Sequence, residues 1–324
     1  MLSFETILEK IRLALEKLDY NRQPEELYTP IDYTLSLGGK RIRPVLCLMA
    51  CDMFGGKIED AIPAALGLEI FHNFTLLHDD IMDEAPIRRG KKSVYKKWNT
   101  NVAILSGDTM MAVAYGQIME TPENMHSSVF KIFNQTAIEV CEGQQYDMNF
   151  ETAENVGIND YLEMIRLKTA VLLAGSLKIG AVIGGADKEN AESLYRFGEN
   201  IGIAFQLKDD LLDVFSDEQK FGKKTGGDIL SNKKTYLYLK AFELAKGETL
   251  ESLTSLFNGN QKNETDKVKG VIVIYEHLNI KQLAEELIEK YYLLAMTSLE
   301  KVKVSNSQKA ELRKFADTLK GREY

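Results

Sequence analysis

The sequence predicts an all-α fold, a bundle of ten or more helices, on three observations. Apolar residues recur with a helical period along almost the whole chain, alternating strand-like runs are scarce, and only six prolines occur in 324 residues. Leu8, Ile11, Leu15 and Leu18 form one stripe; Leu66, Ile70, Phe74 and Leu77 form another. Pro24, Pro30, Pro44, Pro63, Pro86 and Pro122 are expected at helix edges, where a missing backbone N–H costs least. Gly39 and Pro44 bracket a turn leading into the helix that carries Leu46 to Met53. Breaks are expected near Gly55-Gly56, Pro86 to Lys97, Thr121 to Asn124, Glu151 to Asn159, Gly184 to Lys188, Ser216 to Ser231 and Gly259 to Thr265. The β-rich patch Val271 to Tyr275 continues into an apolar helical pattern. No linker is long and polar enough to mark a boundary, so residues 1–324 are expected to form one domain.

Composition narrows the function. Lys plus Arg number 40 against 48 Asp plus Glu, a net charge of -8, with 44% hydrophobic residues. That is ordinary globular composition, and the acidic balance argues against a nucleic-acid binder while permitting a local basic pocket. Cys47, Cys51 and Cys141 are too few for a disulfide scaffold, and no CxxC pair accompanies them. The chain starts without the basic-then-apolar pattern of a signal peptide. The most apolar stretch, Val171 to Gly185, is interrupted by Lys178 and too short to span a bilayer. A cytoplasmic protein without a transmembrane segment is expected. Nucleotide binding of the Rossmann kind is excluded by the lack of βαβ alternation and of the glycine fingerprint.

The strongest local signal is Asp79-Asp80-Ile81-Met82-Asp83 at the end of an apolar helix. Asp79 and Asp83 are four apart and share a face, where like charges repel unless cations neutralise them. Hard divalent ions such as Mg2+ prefer oxygen ligands and bridge carboxylates to substrate phosphates. The pattern recurs as Asp209-Asp210-Leu211-Leu212-Asp213 after a second apolar run. Basic groups accompany both: Lys40, Arg41 and Arg43 after Gly38-Gly39, Arg88 and Arg89 after the first cluster, and Lys168, Lys223 and Lys233 around the second. Arginine's fork suits phosphate oxygens and lysine acts as a mobile point charge. Two acidic sets with cations between them and apolar helices behind point to a metal-bridged diphosphate above a hydrophobic tunnel.

On these motifs the chain resembles the trans-isoprenyl diphosphate synthases, the farnesyl/geranylgeranyl diphosphate synthase or polyprenyl synthetase family. The resemblance is carried by Gly38-Gly39-Lys40-Arg41-Ile42-Arg43-Pro44, the first DDxxD with Arg88-Arg89-Gly90, Lys168-Thr169, and Gln206 through Asp213. Gly222-Lys223, Gly226-Gly227-Asp228 and Lys233 complete it. It implies a single polyprenyl synthetase domain over 1–324, with a motif-bearing core at about 28–235 and a helical C-terminal tail. It implies the isoprenoid synthase fold around a central cavity, in which two acidic clusters hold three Mg2+ ions on an allylic diphosphate. Asp79, Asp83 and Asp209 would be the metal ligands, with Asp80, Asp210 and Asp213 supporting. Arg88, Lys168, Lys223 and Lys233 would hold the allylic diphosphate. Isopentenyl diphosphate would sit against Gly39, Lys40, Arg43, His72 and Arg89, and Thr169 and Gln206 would flank the reacting carbons. Gln144 and Asp147 resemble cavity-facing positions. The resemblance also implies a homodimer.

Product length depends on residues before Asp79. Thr75 shares the Asp79 face, whereas Phe74 lies about 140° away on an ideal wheel, so geometry favours Thr75 as the pocket residue. The resemblance shifts the weight to Phe74: an aromatic there, with no insertion in the DDxxD, looks like a short-chain enzyme. C15 to C20 products are implied, geranylgeranyl diphosphate ahead of farnesyl. A class I terpene cyclase or a non-catalytic regulatory subunit fits less well, since neither aspartate cluster nor the isopentenyl motif is lost. A di-iron bundle built on Glu69-x-x-His72 and Glu123-x-x-His126 leaves both aspartate clusters unexplained.

Overall fold

A computed structural model describes residues 2–216, 225–259 and 263–321. Apart from a two-residue antiparallel hairpin at Ile87–Arg88 and Lys91–Lys92, the described elements are helical. The helices are α1 (Phe4–Glu16), α2 (Glu25–Ser36), α3 (Ile42–Met53), α4 (Ile58–Met82), α5 (Val94–Lys97), α6 (Thr100–Ile118), α7 (His126–Thr152) and α8 (Ile158–Ile165). They continue with α9 (Val171–Ile183), α10 (Lys188–Phe215), α11 (Gly227–Leu230), α12 (Tyr236–Leu244), α13 (Glu248–Asn258), α14 (Glu264–His277), α15 (Ile280–Lys301) and α16 (Asn306–Lys320). A π-helical turn, Arg166–Ala170, joins α8 to α9.

Local chemistry accounts for many of the helix starts. Ser3 caps α1 by accepting from Thr6 N at 3.2 Å, and Asn99 caps α6 by accepting from Val102 N at 2.9 Å. At α8, Asp160 reaches back to the Gly157 N–H at 2.9 Å. Pro24, Pro44 and Pro122 sit at helix starts as expected. Pro30 and Pro63 instead lie inside α2 and α4, each at the sixth position. Each forfeits only a bond to the carbonyl of an exposed first-turn glutamate, Glu26 or Glu59, which water can satisfy.

The chain divides into two compact units: residues 1–137, 172–195 and 301–311, and residues 138–171, 196–300 and 312–324. The first is built on α3 and α4. α3 buries Val45 to Cys51 continuously, and α4, which packs against α3 and α6, buries Ala61, Ala64, Leu68 and Phe71. The second unit's core joins Tyr161, Leu207, Leu211, Leu237, Val271, Tyr275 and Ile288. The Val271–Tyr275 patch falls within helix α14, as its pattern predicts.

Among the described residues no single helix is long and apolar enough to cross a membrane. Cys47, Cys51 and Cys141 are free, the first two buried.

Candidate active site

The first aspartate cluster occupies the C-terminal turn of α4. Asp79 and Asp80 lie in that last turn, and Asp83 is the C-cap. Carboxylates are disfavoured here twice over. They repel each other at i,i+4 spacing, and they stand at the negative end of the helix dipole. Asp80 is 4% exposed and is held by Arg88, whose Nε and Nη2 donate to Oδ1 at 2.8 and 2.5 Å. Burial lifts the Asp80 carboxyl above its usual range, and Arg88 opposes that. Asp79 meets the same Arg88 more loosely, at 3.5 Å, while Asp83 is exposed. The motif therefore splits: Asp80 is buried against an arginine, whereas Asp79 meets that arginine only loosely and Asp83 is exposed.

The hairpin is what brings Arg88 and Arg89 back to α4. Its two-residue turn, Arg89–Gly90, has positive φ at both positions (51° and 77°), the geometry of a tight type I′ connection. Arg89 Nη1 donates to Gly38 O, joining the hairpin to the Gly38–Gly39 turn. That turn runs at φ 78° and 128°, and a Cβ on Gly39 would come within 2.8 Å of the Arg89 guanidinium carbon. A side chain there would be strained and would crowd the arginine.

Gly39, Lys40, Arg43, His72 and Arg89, nominated together from sequence, line one cavity of about 380 Å³ with Arg41 and Glu69. Arg43 Nη1 lies 3.1 Å from His72 Nε2. Burial, helped by the surrounding guanidiniums, pushes the His72 imidazole well below its ordinary range. His72 is thus neutral at pH 7 and accepts the Arg43 proton at Nε2. Arg43 is pushed down to about 10 by burial and remains a cation; its Nε is sealed from solvent with no hydrogen-bond partner. A cavity lined by these cations, one of them holding an unused donor, is built for a polyanion.

Before Asp79, Phe74 is half-buried and packs at a tilt against Phe71 and edge-on against His78, at centroid distances of 5.6 and 4.8 Å. Thr75 Oγ1 donates to His72 O at 2.8 Å. His78 lies 3.2 Å from Ile104 O on α6.

In the second unit Asp209, Asp210 and Asp213 lie in the last two turns of α10. Asp210 is 5% exposed; the Tyr161 hydroxyl donates to one oxygen and Gln206 Nε2 to the other at 2.9 Å. Burial raises the Asp210 carboxyl, against the pull of Lys233. Thr169 Oγ1 donates to Gln206 Oε1 at 3.2 Å, so Thr169, Gln206 and Asp210 form one chain of hydrogen bonds. Asp213 Oδ2 accepts from Asp228 N at 2.9 Å, fastening α11 beside α10. Burial, with help from Asp210, lifts Asp228 to about 7. Asp147 collects two of the nominated lysines: Lys168 Nζ at 2.6 Å and Lys233 Nζ at 4.0 Å. Burial would raise Asp147, but these two ammonium groups hold it below the usual carboxylate range. The adjacent Lys234 has a different task, donating to Phe150 O and Ala153 O at 2.5 and 2.7 Å where α7 ends.

The family model described as Polyprenyl synthetase matches residues 24–275. The chain belongs to the polyprenyl synthetase family. It is 41% identical to the geranylgeranyl diphosphate synthase of Methanosarcina mazei, covering 81% of this chain and 84% of that one. It is 38% identical to the geranylgeranyl pyrophosphate synthase of Geoglobus acetivorans, covering 94% of both. A crystal structure of a geranylgeranyl pyrophosphate synthase superposes with a TM-score of 0.92 at 42% identity over the full length of both chains.

The first unit offers hard carboxylate oxygens at Asp79 and Asp83, and the second offers one at Asp209. Among the described residues no three His, Cys, Asp or Glu side chains converge to cage an ion by themselves. Within each unit such donors suit Mg2+, which takes one or two carboxylates and completes its shell with water and substrate phosphate. Lys223 lies outside the described residues. Two further contributors, Tyr161 and Asn73, escaped sequence reading, and Arg41 and Glu69 were noted there without being paired with each other. Tyr161 lies 49 positions from the aspartate it holds. Glu69 carried a signal, as a lone acid in an apolar helix, but its pairing with Arg41 at 2.5 Å makes it a salt-bridge partner and not half of a di-iron motif.

Proposed function

We propose that this enzyme condenses isopentenyl diphosphate with allylic diphosphates in a Mg2+-dependent reaction, extending them to C15–C20 products with geranylgeranyl diphosphate preferred. The carrying observation is the cationic cavity of Gly39, Lys40, Arg43, His72 and Arg89 in the same unit as an aspartate pair stranded at a helix C-terminus. The relatives named as geranylgeranyl diphosphate synthases support the product assignment.

In this reading Asp79, Asp83 and Asp209 are ligands for three ions, and Asp80, Asp210 and Asp213 hold the surrounding framework. When bound, Mg2+ neutralises charge on the diphosphate leaving group. Arg88, Lys168, Lys223 and Lys233 bind the allylic diphosphate, and their positive charge stabilises it as the carbon–oxygen bond breaks. Gly39, Lys40, Arg43, His72 and Arg89 orient isopentenyl diphosphate so that its double bond attacks the allylic carbon. Thr169 and Gln206 steady the positive charge that develops, through hydroxyl and amide dipoles fixed by Asp210. The new carbon–carbon bond forms, a proton leaves the adjacent carbon for the released diphosphate, and the double bond is restored.

The whole chain, 1–324, would work as a single catalytic domain, in the cytoplasm, where three free cysteines are at home. A homodimer is proposed on the exposed apolar residues Ile104 and Leu105 of α6, Met119 at its C-cap and Phe130 of α7. The test supplies isopentenyl diphosphate and Mg2+ with dimethylallyl, geranyl or farnesyl diphosphate and reads chain length. Extension of farnesyl to a C20 product is expected, and failure to extend it would limit the enzyme to C15. Phe74→Ala should shift products to longer chains, because Phe74 precedes the acidic turn by about 7.5 Å of helix. An unchanged distribution would show that Phe74 packs against His78 without bounding the tunnel.

A further inference from the structure

We propose that Glu69 is a positioning residue for the isopentenyl site: paired with Arg41, it holds the Gly38–Arg43 turn in the shape that presents Lys40 and Arg43 to the cavity. This rests on the reading of that cavity given above. The turn is strained. Gly38 and Gly39 have positive φ, and Arg41, a non-glycine N-cap of α3, sits at φ 50°. A left-handed arginine persists only when its surroundings over-determine it. Here they do: Arg41 Nη1 donates to Glu69 Oε1 and Nη2 to Leu35 O, both at 2.5 Å. Glu69 is itself fixed to α4 by Asn73, whose Nδ2 donates to Glu69 Oε1 at 2.9 Å and to Glu69 O at 2.8 Å.

Glu69 is 1% exposed and Arg41 8%. A buried carboxylate among cations that await an anion opposes anion binding by charge alone, so its presence needs a reason. Neutralising Arg41 is one. A second lies in the cavity, where Glu69 Oε2 and Arg43 Nε are each buried without a hydrogen-bond partner. Glu69 sits near enough to favour the charged forms of Arg43 and Arg89, against the burial that lowers both. One acid thus serves the site twice, fixing the turn through Arg41 and offsetting part of the charge crowding among the buried guanidiniums.

The experiment measures steady-state kinetics and thermal melting of the full-length enzyme. Glu69→Gln keeps the shape and removes the charge. It should raise KM for isopentenyl diphosphate about tenfold, a loss of about 1.4 kcal/mol of binding, while KM for the allylic substrate stays within about twofold. The double variant R41M/E69L replaces the pair by apolar groups, which restores a buried pair's stability in other proteins. It should melt near the parent yet keep the raised isopentenyl KM, and this arm decides the matter if Glu69→Gln folds poorly. Recovery of both melting and KM in R41M/E69L would overturn the proposal, since the pair would then be merely structural. An isopentenyl KM within twofold of the parent in Glu69→Gln would do the same. Arg43→Ala separates this from the underlying reading: if it too leaves the isopentenyl KM unchanged, the cavity is not that substrate's site and the whole assignment falls.

Discussion

Asp79→Ala is expected to lower kcat by about 10²- to 10³-fold while leaving the metal-free protein as stable as the parent or slightly more so. The two signs have one cause. Asp79 lies in the last turn of α4, four residues from Asp83, so without metal its charge meets a like charge and the negative helix end, with only the loose 3.5 Å approach of Arg88 against them. Removing it relieves repulsion of up to about 1 kcal/mol. With substrate and Mg2+ present, the same oxygen would hold an ion that neutralises the departing diphosphate. Charge stabilisation of that kind is worth several kcal/mol, and each 1.36 kcal/mol is about tenfold in rate. Asp209→Ala should behave similarly in rate. Asp80→Ala must differ. It would strip Arg88 of its close partner at 2.5 and 2.8 Å and cost stability, about 1–3 kcal/mol given that Arg88 keeps partial solvent contact. Melting curves without metal and kcat at saturating Mg2+ check all three. A kcat for Asp79→Ala within about threefold of the parent would remove Asp79 from the metal set, and equal melting shifts for Asp79→Ala and Asp80→Ala would refute the division of labour inside the motif.

That division was not visible in the pattern DDxxD, which presents three equal acids. Spacing alone places Asp79 and Asp83 on one face. It does not say that Asp80 turns inward to an arginine eight positions later, because that contact depends on a hairpin whose turn is two residues long. The residues nominated for isopentenyl diphosphate fall together for another reason. Lys40 and Arg43 lie within one short motif, and His72 and Arg89 join them in a single cavity because α4 and the hairpin are each locally encoded. Helix breaks at Gly55-Gly56, Gly184 and Gly259 announced themselves by glycine, whereas the interruption between α15 and α16 at Val302–Ser305 carries no glycine or proline and left no mark. The least legible features are long-range supports. Tyr161 on Asp210 and Glu69 on Arg41 join distant positions by buried hydrogen bonds, and neither residue type advertises its partner. Lys233 and Lys234 show how fine the distinction becomes: adjacent lysines of the same chemistry, one beside Asp147 and the other closing the end of α7.

Gly143→Ala is expected to damage both stability and catalysis, and it tests whether the π-helical turn is a working part of the site. Gly143 lies in α7 where the Arg166–Ala170 turn crosses it; a Cβ there would stand 2.2 Å from Lys168 N and 2.7 Å from Lys168 Cα. Those neighbours are backbone, so no rotamer change relieves the clash and the two segments must separate. Overpacking of this kind costs about 1–3 kcal/mol, enough for a melting shift of several degrees. The displaced backbone carries Lys168, paired with Asp147 at 2.6 Å, and Thr169, hydrogen-bonded to Gln206 at 3.2 Å. A π-turn inserts one extra residue into a helix and so changes which side chains face a given side, and such turns are frequent at functional sites. Misplacing catalytic groups by about 1 Å can cost about 10²-fold in rate. The variant should therefore show lower kcat and a higher KM for the allylic diphosphate at a temperature where it is fully folded, with the isopentenyl KM nearly unchanged. If melting falls while kcat and both KM values stay at parental levels, the close approach at Gly143 is packing alone, and Lys168 and Thr169 owe their placement to something else.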